Sequence, residues 1–243
     1  MQVLFDLSPD GGYYIFWLLE GLVWTIALAI VGWALAFAIG VLVGIGRTVE
    51  NPYGSAAARI YVEIFRNVPL IVQMFIWYFV MPELLPAALG TAIKHMPPPW
   101  GSVVPAVLAL ACYTGARVAE QIRAGIEALA RGQREAAAAL GLRPHQAYRL
   151  VILPQALRIV VPSLTSEVMG IFKNTSVALT IGVLELTAQA RHISESTFQT
   201  FAAFGAATLL YLLLALLTYG AMAAIERWAE IPGLGATTKR ASP

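Results

Sequence analysis

REAAAALGLRPHQAYRLVILP, residues 134–154, is a polar interruption in a chain that is apolar on both sides of it. Ala-rich Gln133–Leu140 has high helix propensity, and Gly141 just beyond it can take the left-handed conformation that commonly ends a helix. Pro144 suits the first turn of a second helix, His145–Leu150. Two short helices with a glycine between them form a bent knob, too polar to enter lipid and too short to fold alone, so it needs a partner surface. An ordinary polar loop with one helical turn is the alternative that pattern alone leaves open. Pro154 falls near the start of the next apolar segment and is expected to set the angle between knob and helix.

Around this stretch lie 243 residues, of which 58% are hydrophobic and 12% charged. Soluble domains carry about 25% charge, so the composition reads as a membrane protein. The runs Gly21–Ile45, Asn67–Pro82, Met96–Ala116 and Thr197–Ile225 hold no Asp, Glu, Lys or Arg. Crossing a bilayer takes about 20 helical residues, so the run at 67–82 must borrow an entry turn from Tyr61–Arg66. A fifth apolar region, Ile159–Leu184, contains Glu167 and Lys173 and is the most irregular of the set. The runs are continuous and lack a period of two, which implies helices rather than a barrel. The expected fold is therefore an all-α membrane protein of about five transmembrane helices.

Residues 1–20 begin MQVLFDLSPD, with Asp6 and Asp10 and no basic residue, unlike a secretory signal, so the first apolar run is expected to remain as a span. Cys112 is the single cysteine and forms no internal disulfide. With the amino terminus outside, the inner segments collect Arg47, Arg59, Arg123, Arg131, Arg134, Arg143, Arg149, Arg227, Lys239 and Arg240. The outer loops keep Lys94 and Arg191. The positive-inside rule sets that orientation and accounts for the arginines without nucleic acid.

The first span should end near Gly44–Gly46, before the turn at Asn51-Pro52. The second opens in IYVEIFRNVPLIVQMFIWYF, where Glu63 and Arg66 are three apart and able to pair. Pro69 either kinks that helix or begins it. Trp77 and Tyr78 suit the outer interface, and a Pro- and Gly-rich loop, Pro82–Gly101, follows. The third span leaves as ARVAEQIRAGIEALARGQREA, whose Arg117, Glu120, Arg123 and Glu127 recur at helical spacing and carry the helix past the membrane.

The opening stretch resembles the EAA loop of permease subunits of binding-protein-dependent ABC importers. The pattern is Glu135, Ala136, Ala137, three residues, Gly141, nine residues, Val151, one residue, then Leu153 and Pro154. Val151 replaces the usual isoleucine, and Arg143 stands where serine or threonine is frequent, which removes a side-chain acceptor from the second helix start. The resemblance runs from about Gly21 to Ile225 and is nearest to the polar amino acid branch, through FRNVPLIVQ (65–73), ARVAEQIRAGI (116–126), LPQALRIVVPSLTSE (153–167) and KNTSVALTIGVLELTAQA (173–190). YVEIFRNVPLIVQ with ARVAEQIRA is similar to glutamate/aspartate permeases. It implies a type I ABC importer permease fold, with residues 21–225 as the transmembrane domain, a cytoplasmic coupling loop at about 131–154 and a cytoplasmic tail at 226–243. It further implies an inner-membrane location, a second permease subunit, a cytoplasmic ATPase dimer that binds the ATP and Mg, and an external binding protein. An import permease for acidic amino acids is thus the expected function, with another polar amino acid as the alternative.

The residues agree that no chemistry is done by this chain. It has no Gly-x-x-x-x-Gly-Lys-Ser/Thr phosphate loop, no His-Glu-x-x-His and no Gly-x-Ser-x-Gly, and His95, His145 and His192 stand in separate loops. Neither a metal site nor a resident cofactor is expected. A self-sufficient channel or ion-coupled carrier is the rival class. Polar groups inside a membrane are expensive and mark function by default. Lys173, Asn174, Thr175 and Ser176, flanked by Glu167 and Glu185, with Gln73 in the second span, are the substrate-pathway candidates. Lys173 could instead snorkel from an outer helix end. Glu63, Arg66, Arg117 and Glu120 are read as inner-end ion pairs or ATPase contacts.

Overall fold

The computed structural model describes residues 2–229 apart from 10, 50 and 130, together with all side chains in that range except those of Gln2, Val3, Arg131 and Arg134. The tail at 230–243, with Lys239 and Arg240, lies outside the described residues. After a short 3-10 helix at Gln2–Phe5, nine longer helices follow one another among the described residues: α1 (Tyr14–Gly46), α2 (Pro52–Asn67), α3 (Leu70–Leu84), α4 (Ala87–Lys94), α5 (Trp100–Ala128), α6 (Arg131–Ala139), α7 (Pro144–Ile181), α8 (Leu186–Thr197) and α9 (Thr200–Ala229). Of these, α1, α5, α7 and α9 are each long and apolar enough to cross a membrane, and α2 with α3 makes a fifth candidate bent by 107°. That agrees with five spans but moves the irregular one: the break falls at the second span, and the fifth apolar region is continuous helix from 159 to Ile181.

Pro69 explains the break. It begins α3 rather than kinking a continuous helix, and Val68 before it is extended, at φ −79° and ψ 127°, as a residue preceding proline prefers. Prolines also mark two π-helical turns, Ile76–Val80 within α3 and Tyr148–Ile152 within α7. Each ends two residues before a proline, Pro82 and Pro154. A proline has no N–H for the carbonyl four residues back and crowds it, and a widened turn accommodates both defects. Pro154 thus sits near the start of the fourth span, in the first α-helical turn after the widened one. Knob and span share one helix with a softened joint. The segment at 82–101 is likewise more ordered than a Pro- and Gly-rich loop, since α4 lies within it.

Apolar burial does not drive helix association in lipid, so close packing must. α5 is the most buried span and lies along α1. Their axes approach closely at Gly40 and Gly44, where an added Cβ would sit 2.4 Å from Val118 Cγ1 and 2.7 Å from Ile122 Cβ. Three apolar clusters stack through the bundle. Leu28, Met74, Leu110 and Ile171 centre the first, Leu18, Leu186 and Ile193 the second, and Ile122, Ile126 and Ile152 the one beside the knob. The outer side of α9 shows Leu209, Leu212, Leu213, Leu216 and Leu217, a surface suited to lipid tails.

Candidate functional site

The knob is built as the residues require. Gly141 has φ +75°, and the helix before it closes with Gly141 N–H on Ala138 O (2.9 Å) and Leu142 N–H on Ala137 O (3.1 Å). That paired closure is the Schellman arrangement, which favours glycine at the left-handed position. The start of α7 lacks a side-chain acceptor at Arg143, as expected, but the Gln146 side chain reaches back and accepts the Arg143 N–H at 2.9 Å. Ala137, Ala147 and Ile152 are buried against Val118, Ile122 and Ile126 of α5. Val151 and Leu153 are half-buried, whereas Glu135, Ala136, Gly141 and Pro154 are exposed. Leu140 and Leu150, which pattern reading did not single out, stand 81% and 62% exposed on the same knob. An apolar pair on a polar elbow is a surface that wants covering.

A knot of charge lies where the C-terminal ends of α1 and α2 meet α5. Glu120 accepts from Arg47 and, at 2.5 Å, from Arg123, with Arg66 4.0 Å away. Arg123 also bonds Glu127. The expected Glu63–Arg66 pair does not form: Arg66, near the end of α2, lies 4.0 Å from Glu120 instead, and Glu63 makes no ion pair among the described residues. Arg47 was visible in the sequence only as a positive-inside charge, and its role here depends on α1 and α5 lying side by side.

One turn earlier along α5, Arg117 Nε donates to Glu167 Oε2 at 2.7 Å, joining α5 to the middle of α7. The guanidinium also lies 5.9 Å from the centroid of the Tyr113 ring. Glu167 is 8% exposed, Arg117 44%. Arg117 directly follows the apolar run 96–116, and a half-exposed guanidinium there is costly against lipid and favoured where it meets water or a polar partner. Reading by pattern had put Glu167 with the substrate pathway and Arg117 with the inner-end pairs. The structure joins them.

Three other pathway candidates are withdrawn from solvent. Gln73 is buried in the α2–α3 elbow, where Nε2 donates to Phe65 O (2.8 Å) and Val68 O (2.9 Å) and so splints the break. Thr175 is fully buried and bonds Phe172 O of its own turn. Glu185 is the buried cap of α8: its carboxylate accepts the N–H groups of Thr187 and Ala188, both at 2.9 Å, and the Tyr211 hydroxyl at 2.8 Å. Burial raises its pKa above the usual carboxylate range against those bonds. Each of these residues has a structural task, with Gln73 Oε1 left buried and unpaired among the described residues. Lys173 is exposed on the last α-helical turn before α7 tightens at Thr175, Asn174 and Ser176 are half-buried, and the Ser176 hydroxyl bonds Lys173 O.

A bent knob packed under a bundle of five candidate spans, with Gly141 at its turn, matches a known architecture. The family model of the binding-protein-dependent transport system inner membrane component covers residues 36–231. The chain belongs to that family. It is 44% identical over 233 residues to the glutamate/aspartate import permease protein GltJ of Escherichia coli K12, covering 95% of each chain. It is 34% identical over 218 residues to the probable glutamine ABC transporter permease protein GlnM of Bacillus subtilis, covering 88% of this chain and 90% of that one. Among solved structures, an amino acid ABC transporter crystallised with histidines superposes with a TM-score of 0.74 at 29% identity, covering 88% of this chain and 94% of that one. The MetNI methionine ABC transporter in an inward-facing form gives 0.72 at 21% identity over 93% of this chain and 100% of that one, which speaks to fold alone. The protein is thus a multi-pass inner-membrane permease subunit with the fold of ABC importers.

Proposed function

We propose that this permease subunit imports acidic amino acids, glutamate and aspartate, in a complex with a cytoplasmic ATPase dimer, a second permease subunit and an external binding protein. The observation that carries the substrate class is Arg117. Its pair with Glu167 uses one of five guanidinium N–H donors, and the side chain keeps 44% of its surface. A planar donor fork left partly exposed is suited to a carboxylate. The likeness to a glutamate/aspartate import permease supports the same reading.

The knob supplies the coupling. Glu135, Ala136, Gly141 and exposed Leu140 and Leu150 form the docking surface for the ATPase, which holds the ATP and Mg. The amino terminus is outside and the tail cytoplasmic. Transport is conformational: nucleotide binding favours one arrangement of the spans and release the other, each ligand shifting the balance by its difference in affinity. Lys173 and Asn174 stay in the pathway reading as groups near the outer end of α7.

The test is reconstitution in proteoliposomes with the cognate ATPase and binding protein. ATP-dependent uptake of labelled glutamate, competed by aspartate and not by glutamine or histidine, is the expected result. Uptake by this chain alone would instead support a channel or carrier, and uptake of glutamine alone would move the substrate class.

A further inference from the structure

The softened joint in α7 raises a mechanical question. The π-helical turn at Tyr148–Ile152 and Pro154 interrupt the regular hydrogen-bond ladder between knob and span. A push on the knob would bend the helix there rather than move it as a rod. A second connection bypasses that joint. Tyr148, the first residue of the joint and at its knob end, donates its hydroxyl to Thr48 O at 3.0 Å, with Thr48 Oγ1 at 3.2 Å, across 100 residues of sequence. Thr48 closes the inner end of α1, where its own hydroxyl bonds Ile45 O at 2.9 Å. The next residue back, Arg47, is paired to Glu120 of α5. Glu120 lies one helical turn from Arg117, which holds Glu167 of α7.

We infer that Tyr148 is a positioning residue for transport: its hydroxyl ties the knob to the α1 terminus, which passes knob displacement through Arg47 and Glu120 to the Arg117–Glu167 pair. This rests on the coupling role given to the knob under Proposed function. Helices move as units when polar links as well as packing join them, and here each link has its partner on a different helix. Adjacent Thr48 and Arg47 make the α1 terminus a clasp with one grip on the knob and one on α5.

Tyr148→Phe keeps the ring and its packing and removes only the hydroxyl. In the reconstituted complex it should retain binding-protein-stimulated ATP hydrolysis, while substrate imported per ATP falls roughly two- to tenfold, the effect of one part-buried hydrogen bond. Thr48→Val, which keeps the carbonyl, should give a smaller loss, and the double variant should be no worse than Tyr148→Phe alone. An unchanged import-to-ATP ratio, or a parallel fall in both activities, overturns the inference. Failure of the wild-type complex to import acidic amino acids would overturn the proposed substrate without touching the strut. Amide exchange in the isolated chain tests the strut directly. Tyr148→Phe should speed exchange at the α1 terminus and also around Glu120, and a change confined to the neighbours of Tyr148 refutes it.

Discussion

Arg117→Met separates the two tasks assigned to that arginine. Removing the guanidinium leaves Glu167, 8% exposed, without its partner inside a span. Stranding one member of a buried pair costs about 3–5 kcal/mol. Arg117 itself is 44% exposed, so the pair is not fully desolvated and the lower end, about 3 kcal/mol, applies. For a chain of this length that is a fall in Tm of about 6–12 °C, read in detergent by the loss of folded protein on heating. Arg117→Met with Glu167→Met removes both charges, and matched apolar replacement of a buried pair is often neutral, so most of the lost stability should return. Import should not return, because a charged hydrogen bond to the substrate carboxylate, worth about 1.5–3 kcal/mol, stays missing. Glutamate uptake in proteoliposomes should therefore remain roughly 10- to 100-fold down. A double variant that imports at the wild-type rate, or a single variant that melts with wild type, refutes the reasoning.

Gly141→Val places a β-branched residue at φ +75°, where an added Cβ meets no neighbour but the backbone itself resists, at about 1–2 kcal/mol. Membrane insertion should persist while import per ATP falls, and normal uptake would show that the turn is not needed for coupling. Gln73→Leu should strip two carbonyls at the α2–α3 elbow of their donor, at about 1–3 kcal/mol. Amide exchange around residues 65–72 should rise, and protection unchanged there counts against the splint. For Glu185, burial holds the folded-state pKa above the unfolded one, against the two N–H bonds and the tyrosine hydroxyl. The stability it confers relative to Glu185→Gln is then fully present below the unfolded pKa and lost as pH rises through the folded one. Melting curves from acid to neutral pH should show that gap shrink and then level, and a gap that widens with pH refutes the sign.

Spans, knob and coupling motif were legible because each is local. Apolar run length, Ala-rich helix propensity, a glycine beyond a helix and a proline at the next start act within a few residues, and their effects survive whatever packs around them. The polar groups were not legible in the same way. Gln73, Thr175 and Glu185 looked like pathway residues because a polar side chain in an apolar run must have a partner, yet sequence cannot distinguish a passing substrate from a nearby backbone amide or carbonyl. The splint at Phe65 and Val68, the turn at Phe172 and the cap of α8 supplied those partners. Glu63 and Arg66 had helical spacing, but a distant acid on α5 drew the arginine away.

What the chain alone determined is that it crosses a membrane as helices and carries an exposed bent elbow, since solvent preference and backbone propensity are properties of short segments. Which charges meet was decided by the tertiary structure. Arg117 found Glu167, Arg47 found Glu120 and Tyr148 found Thr48 because α1, α5 and α7 pack together, and electrostatic partners depend on distance in space rather than along the chain.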